Sequence, residues 1–213
     1  MRFKDRIDAG IQLAEQLKRY TKEPNAIVLG LARGGVVVAS EVASLLKLAF
    51  DVLVVRKLRA PENEELAIGA IAERGDLVLN ESLLGVLGVT NAYIEREIEV
   101  QKELACKRGA MYREGRRSLP LEGKIVILID DGIATGASMR AAILAVRASG
   151  ASKIVLATPV ASSEALTALS QEVNETVCVY TPFVFPAVGS FYKSFLQISD
   201  SDVMHLLEKR PLA

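Results

Sequence analysis

The sequence contains very little histidine and cysteine, and it has no tryptophan. His205 is the only histidine among 213 residues, and the two cysteines, Cys106 and Cys178, lie far apart and form no C-x-x-C pair. A metal site built from several histidines is therefore excluded, and a Ser-His-Asp triad would have to use His205. Neither a disulfide framework nor a zinc site is indicated.

An excess of charge of one sign and a long apolar run are also absent. The chain has 26 basic and 26 acidic residues and a formal net charge of zero, although half of it is hydrophobic. Zero net charge removes the broad positive surface of nucleic-acid binders, so we expect no nucleic-acid partner. No uncharged apolar run approaches the ~18 residues of a membrane span, and residues 1–20 carry charges instead of a signal-peptide apolar stretch. We therefore expect a cytoplasmic protein with no membrane partner.

Short aliphatic runs alternate with amphipathic segments along the chain. Aliphatic runs of this kind are typical of parallel strands that are buried on both faces. The strand-loop-helix-strand order predicts an α/β fold, an open parallel sheet flanked by helices, and the length fits one domain over residues 1–213. We predict strands at 26–31, 50–56, 124–129, 153–159 and 176–181, and helices at 36–47, 90–112, 138–149, 163–171 and 200–209.

Two helices have a predicted inward face. Near the N terminus, apolar residues at spacings of three and four predict a buried helical stripe. Its members are Phe3, Ile7, Ile11, Ala14 and Leu17. In the long polar helix that Thr90 can cap, the predicted inward residues are Ile94, Ile98, Leu104, Ala105 and Met111.

The character of the sequence changes between residues 57 and 80. This region begins with a charged stretch that contains Pro61, and it continues with two short apolar runs at 66–72 and 77–79. The residues between these runs, 74–76, have the composition of a turn. We interpret 57–80 as a flexible hood, made of a mobile loop and a hairpin.

The strongest functional signal lies at 124–138, KIVILIDDGIATGAS. An apolar strand ends in two adjacent carboxylates, Asp130 and Asp131, and a loop of small residues then opens a helix. Main-chain amides of 134–138 can converge on a phosphate at the positive end of that helix, and the carboxylates can accept hydrogen bonds from sugar hydroxyls. The carboxyl ends of parallel strands are where open α/β sheets bind ligands. The segment therefore predicts a site for a phosphorylated sugar.

Individual residues of the loop support this interpretation. Gly136 permits backbone conformations and a close approach that a β-carbon would forbid, and Thr135 and Ser138 add hydroxyl donors. The loop matches neither the Walker A pattern nor the dinucleotide-binding G-x-G-x-x-G.

Residues 126–138 resemble the phosphoribosyl-pyrophosphate signature of the type I phosphoribosyltransferases: four aliphatic residues, two acidic residues, a short spacer, and Thr-Gly followed by a small residue. Ala32-Arg33-Gly34-Gly35 sits where this family has its pyrophosphate-binding loop. The tail from Val188 to Val203 resembles a subgroup of predicted members whose base is not established.

The resemblance implies a role for each matching residue. Asp130 and Asp131 would be the catalytic pair that binds the ribose hydroxyls, directly or through Mg²⁺, and they would be the metal ligands, by direct or indirect contact. The 5-phosphate loop would consist of Ala134, Thr135, Gly136, Ala137 and Ser138. The pyrophosphate would be bound by Arg33, Gly34, Gly35, Arg56 and Lys57.

The implied reaction is transfer of a 5-phosphoribosyl group from phosphoribosyl pyrophosphate to a nitrogen of a nucleobase-like acceptor, with Mg²⁺ as the cofactor. Members that use hypoxanthine and guanine carry an aspartate where this chain has Ala134. A 6-oxopurine is therefore disfavoured, and adenine-, orotate- and uracil-type acceptors stay open. Two alternatives are a non-catalytic module that senses phosphoribosyl pyrophosphate or nucleotides, and a phosphosugar hydrolase.

Aromatic residues follow the last predicted strand. Phe183, Phe185, Phe191 and Tyr192 could stack on a base, but core packing or packing between subunits is the simpler expectation. We expect the protein to form a homo-oligomer, a dimer.

Overall fold

A parallel β-sheet forms the centre of the molecule. A computed structural model describes residues 3–208, without the side chains of Glu64 and Glu65. The five strands of the sheet are arranged in the order β2-β1-β6-β7-β8, and all neighbouring pairs run parallel. They are β1 (Ala26–Leu31), β2 (Ala49–Leu53), β6 (Ile125–Ile129), β7 (Lys153–Val160) and β8 (Glu175–Tyr180). The predicted α/β class with an open parallel sheet is confirmed.

Helices cover both faces of this sheet because its strands are apolar on both sides. Ile127 and Ile129 pack among residues of the helices at 6–16, 34–46 and 200–208, whereas Val126 and Leu128 pack among residues of the helices at 137–148 and 163–170. The alternation follows from the two-residue period of a strand. The helices are α1 (Arg6–Gln16), α2 (Gly34–Leu46), α3 (Glu81–Leu87), α4 (Asn91–Arg113), α5 (Ala137–Ala148), α6 (Ser163–Ser170) and α7 (Asp200–Glu208).

The predicted hairpin of the hood region, 66–72 with 77–79, is confirmed, but the charged stretch before it forms a third strand in place of a loop, so the hood is an antiparallel sheet. Its strands are β3 (Val55–Ala60), β4 (Asn63–Ala72) and β5 (Leu77–Leu79). The predicted strand at 50–56 therefore ends early, at Leu53, and the charged stretch after it belongs to β3. Leu58 and Ala60 are buried, whereas Lys57 and Arg59 are not, so this charged stretch has the alternating burial of a half-buried strand.

The buried face of α1 is also different from the predicted one. Ile7 and Ile11 are 50% and 44% exposed, and Phe3 lies before the helix in a bridge to Tyr192. The buried residues are Arg6, Ala9, Gly10, Leu13 and Ala14. Small residues let α1 approach α2 closely, and Arg6 is buried because it has a partner in the interior. The apolar period therefore identified the buried Phe3, Ala14 and Leu17 and was wrong for Ile7 and Ile11.

The long helix α4 begins as predicted, with the Thr90 hydroxyl accepting a hydrogen bond from the amide of Tyr93. Of its predicted inward residues, Ala105 is buried and Ile94 and Ile98 pack on the hood, but Leu104 and Met111 are about 40% exposed. The short helix α3 was not predicted. Within residues 3–208, the structure contains no helix whose length and apolar character would allow it to span a membrane.

Candidate active site

The predicted 5-phosphate loop folds at the carboxyl end of β6 and leads into α5. All five of its residues line one cavity of about 190 Å³, and Asp130 and Lys57 line the same cavity. Gly136 precedes α5 with φ of +82°, a left-handed conformation in which a β-carbon is strained. Ala134 and Thr135 are exposed, so the start of the helix is open to a ligand. A cavity of this kind at a helix N-terminus is suited to a phosphate group.

The two carboxylates that follow β6 have different surroundings. Asp130 faces the cavity, and its Oδ1 accepts a hydrogen bond of 2.9 Å from the amide of Asp131. Asp130 is half-buried, and the desolvation of its carboxyl, together with the charge of Asp131, raises the pKa of Asp130 well above its ordinary value. Asp131 instead accepts a hydrogen bond from Arg6 Nε at 2.6 Å, and both side chains are nearly buried.

The predicted pyrophosphate loop, between β1 and α2, packs directly against this aspartate pair. The Ala32–Arg33 peptide bond is cis. A β-carbon on Gly34 would lie 1.9 Å from Asp131 Oδ2, and one on Gly35 would lie 2.7 Å from the carbonyl oxygen of Ile129. Both distances are shorter than any ordinary contact, so glycine is required for the loop to approach the carboxylates this closely.

A second cavity lies on the Arg33 side of Asp131. It measures about 360 Å³ and is lined by Arg6, Arg33, Gly34 and the segment 195–198. The Arg6 guanidinium lies 3.8 Å from the centre of the Phe195 ring and donates a hydrogen bond of 2.8 Å to the carbonyl of Leu196. Two guanidinium groups therefore face one small cavity, an arrangement that suits an anion.

The neighbouring residues Arg56 and Lys57 point in different directions, because successive side chains alternate along β3. Lys57 lines the phosphate-loop cavity and is not among the residues that line the Arg33 cavity. Arg56 donates a hydrogen bond of 2.6 Å from Nε to Gln101 on α4. Lys57 was predicted to lie with Arg33 at the pyrophosphate end of the site, but the structure places it at the 5-phosphate loop. Arg56, predicted for the same end, lies against α4.

Two residues of the site were missed in the sequence. Arg6 neutralises Asp131, and the Tyr192 hydroxyl donates a hydrogen bond to the main-chain carbonyl of Asp131. Arg6 could have been noticed in the sequence, because it lies at helical spacing from Ala9 and Leu13 and therefore on the same, buried face of α1. Tyr192 is one of the aromatic residues that follow the last strand, and it packs in the core on Phe3, with ring centres 5.4 Å apart. By contrast, Phe183 is fully exposed.

This fold and site define a class of protein: an α/β protein with a loop of small residues that opens a helix (134–138), an aspartate pair and a glycine loop (32–35) at the carboxyl end of a parallel sheet. Residues 2–185 match the model of the phosphoribosyl transferase domain. The chain belongs to that family, and the resemblance seen in the sequence is confirmed.

Individual relatives agree with this assignment. Two proteins of Mycobacterium tuberculosis, provisionally named phosphoribosyl transferases, are 43% identical to this chain over 207 residues, which is 97% of it. The chain spans 46% of the length of these relatives. The crystal structure of TT1426 from Thermus thermophilus is 43% identical, covers 99% of both chains and superposes with a TM-score of 0.81.

Proposed function

We propose that the protein transfers the 5-phosphoribosyl group of phosphoribosyl pyrophosphate to a nitrogen of a base and releases pyrophosphate. The order of the groups in the site is the observation that carries this proposal. Asp130 lines the phosphate-loop cavity, and Asp131 accepts a hydrogen bond from Arg6, which lines the cavity of Arg6 and Arg33. Phosphoribosyl pyrophosphate has the matching order: a phosphate, two ribose hydroxyls and a diphosphate.

The 5-phosphate end is bound by main-chain groups and one cation. Amides at the start of α5 and the hydroxyls of Thr135 and Ser138 supply the hydrogen bonds, and the helix dipole favours the negative charge. Lys57, in the same cavity, adds a positive charge from the hood sheet. Because Lys57 belongs to the hood and the loop belongs to the central sheet, a bound phosphate joins the two sheets.

The ribose is held by Asp130 and Asp131, whose carboxylates accept hydrogen bonds from its hydroxyls. Arg6 holds Asp131 in one orientation, so its carboxylate is already directed when the sugar arrives. Asp130 accepts a hydrogen bond from the amide of Asp131, and it faces the cavity. New hydrogen bonds from a sugar therefore compensate for the burial of its charge.

The donor set fits Mg²⁺ held largely by the substrate. Within residues 3–208, no cluster of three or more histidine, cysteine or acidic side chains could hold a metal ion by itself. Asp131 is paired with Arg6, which leaves Asp130 as the better-placed carboxylate. Mg²⁺ accepts this arrangement because it binds phosphate oxygens and retains several waters. When bound, it would neutralise negative charge on the departing pyrophosphate.

Little acid-base chemistry is required of the protein. Cleavage of the bond from the anomeric carbon to pyrophosphate places positive charge on the sugar and negative charge on the leaving group. Asp130 and Asp131 lie on the sugar side, and Arg33 and the amides of the glycine loop lie on the leaving-group side. Ala134 has no group to exchange a proton with the acceptor. The acceptor is therefore proposed only as a nitrogen base of unassigned identity.

The decisive experiment is to incubate the purified protein with phosphoribosyl pyrophosphate, Mg²⁺ and a panel of purines, pyrimidines and related bases, and to measure pyrophosphate release and nucleotide formation. We expect base-dependent release that is lost in the Asp130→Asn/Asp131→Asn double variant and kept in Asp76→Asn, a control in the hood turn. Binding without turnover of any base would favour the sensing module. Consumption of the substrate without a base would favour the hydrolase.

The homodimer and the cytoplasmic location expected from the sequence stay predictions. Sedimentation of the purified chain would test the first, and fractionation of cells that express it would test the second.

A further inference from the structure

Asp200, the first residue of α7, is in contact with three groups from two other parts of the fold. The Tyr112 hydroxyl donates a hydrogen bond of 2.5 Å to its Oδ1. Arg33 Nη1 lies 3.9 Å from Oδ1, and Arg108 Nη2 lies 3.7 Å from Oδ2. An acidic side chain that follows the aromatic tail thus joins an arginine of the glycine loop to an arginine of α4.

These contacts are of unequal strength. Tyr112 is fully buried, and its hydrogen bond is short. The two ion pairs are near the limit of direct contact, and about a third of each participating side chain is exposed. Partly exposed, loosely paired charges stabilise a fold little and exchange readily with ions in solution. Asp200 is therefore well anchored to Tyr112, whereas Arg33 and Arg108 are available to another anion.

The positive charge around Asp200 exceeds the charge of its one carboxylate. Arg56 of the hood donates a hydrogen bond to Gln101 on the same helix as Arg108. Burial and the guanidinium groups of Arg108 and Arg59 lower the pKa of Arg56, and the Glu97 carboxylate acts in the opposite direction. Guanidinium groups brought this close destabilise one another unless an anion lies among them. A diphosphate brings more negative charge and more acceptor oxygens than a carboxylate does.

We propose that Arg108 acts with Arg33 in binding the diphosphate end of the substrate, and that the Asp200 carboxylate is the anion that the diphosphate displaces from the two arginines. This inference rests on the proposed function, since the assignment of Arg33 to pyrophosphate belongs to it. Asp200 lies two positions after Ile198, the last residue of the segment 195–198 that lines the Arg6–Arg33 cavity. Its displacement therefore also frees that segment from the glycine loop.

The test is calorimetric titration with inorganic pyrophosphate and, separately, with ribose 5-phosphate. Asp200→Asn keeps an acceptor for the Tyr112 hydroxyl and removes the charge. We expect it to tighten pyrophosphate binding about threefold to tenfold, the range that two partly exposed ion pairs allow. Ribose 5-phosphate lacks the diphosphate, so its affinity should not change. Arg108→Gln should weaken pyrophosphate binding by a similar factor.

Two matched variants separate the proposal from general effects of charge. Glu208→Gln removes an acid from the other end of α7, and Arg96→Gln removes an exposed arginine from α4; neither should change either affinity. Three results would overturn the proposal. They are equal pyrophosphate affinity in Asp200→Asn and the wild type, an equal gain in affinity in Asp200→Asn and Glu208→Gln, and no pyrophosphate binding in any variant. If the expected pattern appears without turnover of any base, the transferase assignment fails and the anion site stands.

Discussion

The guanidinium of Arg6 lies 2.6 Å from the carboxylate of Asp131, although 125 positions separate the two residues in the chain. Both side chains are nearly buried, at 9% and 13% exposure. Removing one partner of such a pair leaves an uncompensated charge in the interior. This pair connects the first helix to the floor of the site, so its loss should affect both stability and binding.

Arg6→Gln should lower the free energy of unfolding by about 3 kcal/mol, because Asp131 loses its charged partner. Urea unfolding followed by circular dichroism measures this. Arg19→Gln is the control, since it removes an exposed arginine that pairs with Glu175, and it should change stability little. The Arg6→Gln/Asp131→Asn double variant should be less destabilised than the sum of the single variants. Additive effects would show that the two residues do not interact energetically.

Asp130→Asn should stabilise the protein without ligand while it weakens binding of phosphoribosyl pyrophosphate. Burial and the charge of Asp131 raise the pKa of Asp130, so its ionised form opposes folding. Because the pKa of Asp130 is higher in the folded protein than in the unfolded one, its contribution to wild-type stability is largest at low pH, where the carboxyl is neutral. That contribution is lost as the pH rises through the pKa of the folded protein. The gain from asparagine, about 1 to 2 kcal/mol, should therefore be present at neutral pH and disappear towards pH ~4. Thermal unfolding across this range, without Mg²⁺, tests the sign; a variant less stable than the wild type at pH ~7 would contradict it.

Gly34→Ala should abolish substrate binding and destabilise the fold, because its methyl group would occupy the position of Asp131 Oδ2. With the methyl group of alanine present, either the glycine loop or the aspartate pair would have to move. Gly85→Ala is the matched control: Gly85 lies in α3, and no atom lies within 4 Å of an added β-carbon. Alanine there should be neutral or stabilise the protein by up to about 1 kcal/mol. Thermal unfolding and substrate titration of both variants distinguish a steric requirement from a general intolerance of alanine.

Lys57→Met should weaken binding of ribose 5-phosphate about tenfold or more, since it removes a cation from the phosphate-loop cavity. It should leave the affinity for inorganic pyrophosphate nearly unchanged, because Lys57 does not line the Arg33 cavity. Lys102→Met, an exposed change on α4, serves as the control. A larger loss for pyrophosphate than for ribose 5-phosphate would place Lys57 at the leaving-group end, as the sequence had suggested.

The parts of the fold that could be predicted are those whose signal is local. Residues 126–138 contain both the strand and the loop that follows it, so the phosphate loop and the aspartate pair could be predicted together. Each strand of the central sheet is a continuous aliphatic run, and the ends of four of the five strands were predicted within about a residue. Burial on both faces explains the clarity of this signal.

The parts that could not be predicted depend on partners that are distant in the chain. Arg6 is buried because Asp131 lies opposite, and although its spacing from Ala9 and Leu13 places it on the buried face of α1, no pattern within α1 identifies its partner. The hood strand β3 carries three basic residues at partly exposed positions, and they conceal a strand in which Leu58 and Ala60 are the buried members. The different directions of Arg56 and Lys57 required the register of β3 to be known.

The pairing of the two ends of the chain at Asp131 bears on the synthesis of the protein. Arg6 is synthesised well before the carbonyl of Leu196 and the hydroxyl of Tyr192, which fix Arg6 and the Asp131 backbone. The strands of the parallel sheet all precede residue 181. A nascent chain can therefore form its sheet before these contacts exist, so we expect the proposed sugar site to be completed only after the segment 192–196 has emerged and packed.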